Sequence, residues 1–193
     1  MVRPREFDED EAVARALDVF WEKGFETASL GDLTSAMGIS KSSFYETFGS
    51  KHDLLISTMQ RYKDTTLAMV VRILESDLPA REAITQVFDY AVRTVFDDDD
   101  RRGCFLGNCI VEAGDKDAAV AKEVTEGFAD FTDAFAKAVK RGQVVGDISD
   151  RHEPMALARF LANNINGMRI VAKAGADRRH MEDIVRVVMS ALD

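Results

Sequence analysis

The sequence predicts an all-α protein, an N-terminal three-helix helix-turn-helix domain followed by a larger helical domain. Three observations carry that expectation. Apolar residues recur at spacings of three and four rather than alternating. The three prolines are scattered. Finally, Asp8 with Glu11, Ser29 with Asp32 and Ser50 with Asp53 each set a side-chain acceptor three residues before a carboxylate, in the manner of a capping box. Helices should therefore begin near residues 9, 30 and 51.

The first helix presents Val13, Leu17, Phe20 and Trp21 and should stop at Gly24, where glycine accepts the left-handed backbone that ends a helix. The second, residues 30 to 37, stops at Gly38 in the same way. Ile39 then points inward, and Ser40 can cap a third helix from Lys41 to about Phe48. Two short helices joined by a tight glycine turn are the signature of a helix-turn-helix. A helix this short is not stable alone. Phe44 and Phe48 should dock it onto the first helix at its Trp21 edge, leaving Lys41, Ser42, Ser43 and Tyr45 outside.

From Lys51 the helices lengthen. The periodicity gives 51–76 (Leu55, Met59, Tyr62, Met69, Ile73), 80–96 (Ile84, Val87, Phe88, Ala91, Val95), a short helix near 104–113, and 117–141 (Val120, Val124, Phe128, Phe131, Phe135). Two more run over 154–174 (Leu157, Phe160, Leu161, Asn164, Ile165, Met168) and 178–192 (Ile184, Val185, Val188, Leu192). The expectation is about nine helices in two domains, a helix-turn-helix domain over 1–52 and a larger helical domain over 53–193.

Composition narrows the class. No apolar run approaches a membrane span, and Met1 to Asp10 is charged rather than signal-like, so a soluble, cytoplasmic protein is expected. Two cysteines, Cys104 and Cys109, are too few for a disulfide scaffold. The net charge of −9 argues, taken alone, against nucleic acid as a partner. Even residues 1–52 carry six basic against ten acidic side chains. DNA binding by such a domain must rest on a few well-placed contacts.

The stretch FDEDEAVARALDVFWEKGFETASLGDLTSAMGISKSSFYETFGSKHDLL, residues 7 to 55, closely resembles the DNA-binding domain of TetR/AcrR-type bacterial transcriptional regulators. The likeness covers the whole helix-turn-helix, including the glycine-aromatic approach to the second helix and the Y-x-x-F-x-x-K close of the third. The resemblance implies a DNA-binding domain over 1–52, a ligand-binding and dimerisation domain over 53–193, and a homodimer paired through the last two long helices, where Leu157, Leu161, Ile184 and Val188 offer more apolar surface than one small core needs. Its N-terminal domains would enter successive major grooves of a palindromic double-stranded DNA operator, and a small-molecule effector in the C-terminal domain would alter their spacing. It makes 41–48 the recognition helix, Tyr45 and Lys51 phosphate contacts, and Arg3 and Arg5 a basic arm along the DNA. Glu46 beside the reading face and the acidic domain depart from the family pattern.

Chemistry supports the same assignment. Lys41, Ser42 and Ser43 occupy the first turn, the part that helix-turn-helix proteins aim at base edges. Glu46 can accept from a cytosine amino group. Tyr45 follows Phe44 directly, so the two cannot share a face. An effector pocket is expected among the fourth to eighth helices, lined by Tyr62, Phe88, Cys104, Phe105, Asn108, Phe128, Phe131 and Asn164. Asn163, Asn164 and Asn166 bond across the dimer seam or line that pocket. Cys104, at the start of a short helix, is either an electrophile-sensitive thiol or a small apolar filler. His52, His152 and His180 stand alone, with no nucleophile or metal-type spacing, and no cofactor or metal is implied. Rival readings are a helical enzyme, a metal or redox sensor, or a protein-binding adaptor. The sequence offers the enzyme and metal-sensor readings no paired acid and base and no clustered ligands. Repression and activation both remain open.

Overall fold

The computed structural model describes residues 7–193, so Arg3 and Arg5 lie outside the described residues. In order come α1 (Glu9–Lys23), α2 (Leu30–Met37), α3 (Lys41–Phe48) and α4 (Lys51–Tyr62), then a π-helical turn (Lys63–Leu67) leading into α5 (Ala68–Leu74). They are followed by α6 (Ala80–Phe96), α7 (Phe105–Ala113), α8 (Ala118–Val145), α9 (Pro154–Lys173) and α10 (Arg178–Met189), with a final 3-10 turn (Ser190–Leu192). Counting α4, the π turn and α5 as the single rod expected over 51–76, the described residues form nine helices and no strand. None is long and apolar enough to cross a membrane.

The chain divides into two compact units. The first runs to Thr65 and takes in Phe105–Val124; the second comprises Thr66–Cys104 and Thr125–Asp193. The boundary expected at 52/53 thus falls inside the first unit, in the opening turn of α4.

In the first unit α1 packs on α2 and α4, and α3 on α2 and α4. All three anticipated caps form. The Asp8 carboxylate accepts the Glu11 N–H at 3.0 Å, the Ser29 hydroxyl the Asp32 N–H at 3.1 Å and the Ser50 hydroxyl the Asp53 N–H at 3.0 Å. Only Ser29–Asp32 closes the full reciprocal box, the Asp32 carboxylate accepting the Ser29 N–H at 2.9 Å. Glu11 instead turns to Arg15. Gly38 ends α2 with φ 70°, ψ 30°, the left-handed conformation that glycine adopts without steric cost.

The aromatic centre of this unit differs from the expectation. The Trp21 ring meets Tyr62 edge-on at 5.2 Å between centroids and lies 5.9 Å from Phe105, which is 5.7 Å from Tyr62. Trp21 therefore packs with α4 and the first residue of α7, while α3 is seated through Phe44, which has no exposed surface. Val13 is only half-buried; Ala12 and Ala16 hold the inner positions of α1.

A second difference has a clear cause. Beyond Tyr62 the buried positions are Val70 and Leu74 rather than the expected Met69 and Ile73. A π turn takes up one residue more than the α-helix around it, so every later position on the same face moves along by one.

The second unit packs α6 against α5, α9 and α10. Phe88 and Phe135 lie 6.5 Å apart by ring centroids, and Phe131 meets Phe135 edge-on at 5.2 Å. Of the four residues expected to supply surplus apolar surface for a second copy, Leu157, Leu161 and Val188 are buried in this core and Ile184 is partly buried against it. The exposed apolar side chains of α9 and α10 are instead Phe160, Ile170 and Val187.

Two outcomes are expected. Phe105→Ala should destabilise the protein by about 3–5 kcal/mol, the usual result of emptying a buried phenylalanine site, measured by urea unfolding. The Lys23 ammonium and then the Ser29 hydroxyl and N–H hold the Asp32 carboxyl well below the usual carboxylate range. Because the folded-state value is depressed, the stabilisation is complete above the ordinary aspartate pKa of about 3.9 and is lost as the pH falls towards the folded-state value. Asp32→Asn should therefore lower Tm at neutral pH and flatten its acid decline.

Candidate nucleic-acid interface

α3 owes its shape to one cap and one anchor. The Ser40 hydroxyl accepts the Ser43 N–H at 3.1 Å, satisfying a donor that the helix itself leaves open. Gly49, at φ 73°, closes the other end, its N–H bonded to the Tyr45 carbonyl at 3.1 Å. Phe44 points inward with Phe48 5.9 Å away. The opposite face is left to solvent.

Lys41, Ser42, Tyr45 and Glu46 are all exposed on that face, Tyr45 by 56%. The Tyr45 ring stands edge-on to Phe44 at 5.3 Å, while the residue stays exposed. Ser42 donates to the Glu46 carboxylate at 3.2 Å, one turn along. Ser43 is half-buried, its hydroxyl 2.9 Å from that of Ser40. Thus Lys41, Ser42 and Tyr45 form the accessible edge, and Ser43 belongs to the cap.

Lys51 opens α4. Its ammonium lies 3.4 Å from the Glu26 carbonyl and 4.7 Å from the centroid of the Phe25 ring, resting on the turn between α1 and α2. That turn is itself held from a distant part of the sequence. The Glu112 carboxylate, on α7, accepts the Phe25 N–H at 2.9 Å and the Glu26 N–H at 2.7 Å. His52, next to Lys51, meets the Asp117 carboxylate at 2.6 Å. The Val120 N–H and then the His52 ring hold the Asp117 carboxyl below its usual range, outweighing desolvation. His52, alone in the sequence, thus has a partner in Asp117, and neither Asp117 nor Glu112 stands in a motif of its own. Nothing in their local sequence marks partners 60 and more residues away.

Several acidic side chains of the module have structural partners. Asp8 and Asp32 cap helices, Asp32 also binds Lys23 at 2.6 Å, and Glu11 pairs with Arg15. Of the expected pocket residues, Tyr62, Phe105 and Asn108 lie in the first unit, where the rings of Tyr62 and Phe105 are taken up by packing with Trp21. Phe88, Cys104, Phe128, Phe131 and Asn164 lie in the second. Phe88 and Phe131 are buried and Phe128 half-buried. Asn164 donates to the Phe160 carbonyl at 2.8 Å and lines an outer groove of α9 and α10 with Phe160, Ile184 and Val187. Cys104 and Cys109 are both buried; α7 starts at Phe105, which puts Cys104 just before it.

A capped, two-turn helix offering polar side chains from a glycine-linked pair, with a lysine at the foot of the next helix, defines a helix-turn-helix reading module. Comparison with known proteins agrees over the whole chain. Residues 12–58 match the family model "Bacterial regulatory proteins, tetR family", and residues 80–188 match "Tetracyclin repressor-like, C-terminal domain". The chain belongs to the TetR family. It is 32% identical over 194 residues to the uncharacterised HTH-type transcriptional regulator YezE of Bacillus subtilis (strain 168), covering 100% of both chains. It is 27% identical over 183 residues to the HTH-type transcriptional repressor ComR of Escherichia coli (strain K12), covering 94% of this chain and 87% of ComR. Among solved structures, a cysteine mutant of the TetR-family regulator CifR, complexed with 26-bp double-strand operator DNA, superimposes with a TM-score of 0.88 at 30% identity, covering 99% of this chain and 100% of that one. The chain is accordingly a DNA-binding transcriptional regulator and not an enzyme, in a family that acts as dimers.

Ser40→Ala should lower stability by about 1 kcal/mol through loss of the α3 cap. Ser40→Asp, which can also accept the Ser43 N–H, should restore it, as read by thermal melting.

Proposed function

We propose that the protein is a cytoplasmic repressor that binds a palindromic operator as a homodimer and leaves it when a small organic effector binds. The observation that supports this most is the exposed edge of α3, Lys41, Ser42 and Tyr45, mounted on the fully buried Phe44, with Lys51 at the foot of α4. In this reading Lys41 and Ser42 meet base edges, and Glu46 accepts from a cytosine amino group. Tyr45 and Lys51 bind phosphates, which fix position but carry no sequence information. Ser43 contributes through the cap.

The dimer seam would use the outer faces of α9 and α10, where Phe160, Ile170 and Val187 are exposed and Asn164 supplies a polar group. An isologous pairing of that face is the usual way to cover it. The effector would enter the second unit near Phe88, Phe128 and Phe131, with Cys104 as a candidate contact. It releases DNA only to the extent that it binds the DNA-incompetent state more tightly. The name of ComR, a transcriptional repressor, favours repression over activation.

Electrophoretic shifts with DNA flanking the gene test the reading directly; no shift with any flanking fragment would overturn it. Lys51→Ala and Tyr45→Phe should weaken binding to all duplexes alike, and Lys51→Ala should flatten the salt dependence by about one charge per subunit. Ser42 substitutions should instead change base preference, measured by selection from a random duplex pool. Val187→Glu should yield monomers by light scattering at micromolar concentration and weaken operator binding.

A further inference from the structure

We infer that Glu112 and Asp117 are positioning residues for Lys51, together forming a two-point clamp from the 112–117 segment that sets where its ammonium meets DNA. The inference rests on the reading of Lys51 as a phosphate contact. A lysine side chain is a flexible four-carbon stem carrying a point charge, and an unrestrained one gives little geometric definition to a phosphate contact. Here the tip of the stem is held, and the residue beside its base is tied down as well. At the tip, the ammonium rests on the Glu26 carbonyl and over the Phe25 ring. These are the two residues whose N–H groups are bound by the Glu112 carboxylate, at 2.9 and 2.7 Å. At the base, the neighbouring His52 is tied to Asp117 at 2.6 Å.

The turn is shaped for that carboxylate. Gly24 has φ 81°, and a Cβ built there would lie 3.1 Å from each Glu112 oxygen, so a side chain would press on the anion. Two successive N–H groups aimed at one carboxylate form a small anion-binding nest. Both acceptor oxygens are needed. A glutamine at 112 would keep one and present an N–H₂ group to the other donor. Asp117→Asn would weaken the His52 contact at the base in the same manner, while the Val120 N–H could still be capped.

The test is a double-mutant cycle on a duplex that the wild-type full-length protein selects from a random pool. Glu112→Gln is expected to lower affinity about three- to tenfold and to flatten the salt dependence by up to one charge per subunit, the effect of losing one phosphate contact. In a Lys51→Ala background it should do nearly nothing further. Asp117→Asn should show the same non-additivity with a smaller loss and serves independently if Glu112→Gln folds poorly. Amide hydrogen exchange at Phe25 and Glu26 should quicken in Glu112→Gln. A loss that adds in full to that of Lys51→Ala, or one that leaves the salt slope unchanged, would mean that these carboxylates only stabilise the fold and would overturn the inference. If Lys51→Ala itself leaves affinity and slope unchanged, the reading of Lys51 fails and the clamp fails with it; a wild-type cycle showing the Lys51 effect without coupling to 112 or 117 refutes the clamp alone.

Discussion

Burial of the Phe44 ring is the constraint on which the reading surface depends. An eight-residue helix has too few internal hydrogen bonds to outweigh the cost of its own nucleation. Its stability comes from elsewhere: an aromatic side chain removed entirely from water, a serine that closes one end and a glycine that closes the other. Because that helix is so short, a single inward side chain fixes the rotation of all the others. Tyr45, Ser42 and Lys41 face outward as a geometric consequence of where Phe44 points.

The charge balance fits the same economy. A domain with more acids than bases cannot gather DNA by a diffuse positive field. Its acidic groups do local structural work at helix starts and in ion pairs with Lys23 and Arg15, next to the backbone N–H groups and cations that use them best. Few cations are left to meet phosphate, so the placement of each counts for more. Lys51, propped on a turn that is fastened to α7, is the clearest case.

Features written in short stretches of sequence were legible. Asp8, Ser29, Ser40 and Ser50 announced the starts of four helices, and Gly24 and Gly38 the ends of the first two, because caps and left-handed turns are decided by residues within one turn of each other. What depends on distant partners was not. Trp21 reads as an edge for α3, yet its neighbours are Tyr62 and Phe105, 41 and 84 positions along the chain. Leu157, Leu161 and Val188 read as surface for a second copy, but α6 and its neighbours already cover them; an apolar stripe does not say which of two possible partners it meets. Glu112 gave no local sign at all, since its donors are backbone N–H groups, which every residue but proline possesses.

The π turn between α4 and α5 shows a different kind of limit, since periodicity alone assumes an unbroken helix. Its surplus residue also makes Lys63–Leu67 the place where the register of the buried positions can be reset by one residue. Deleting one residue among Asp64, Thr65 and Thr66 would relax the turn into regular α-helix and leave Tyr62 on one side and Val70 and Leu74 on the other still buried. The same deletion in the middle of α4 would rotate every later side chain by about 100° and turn the apolar face to water.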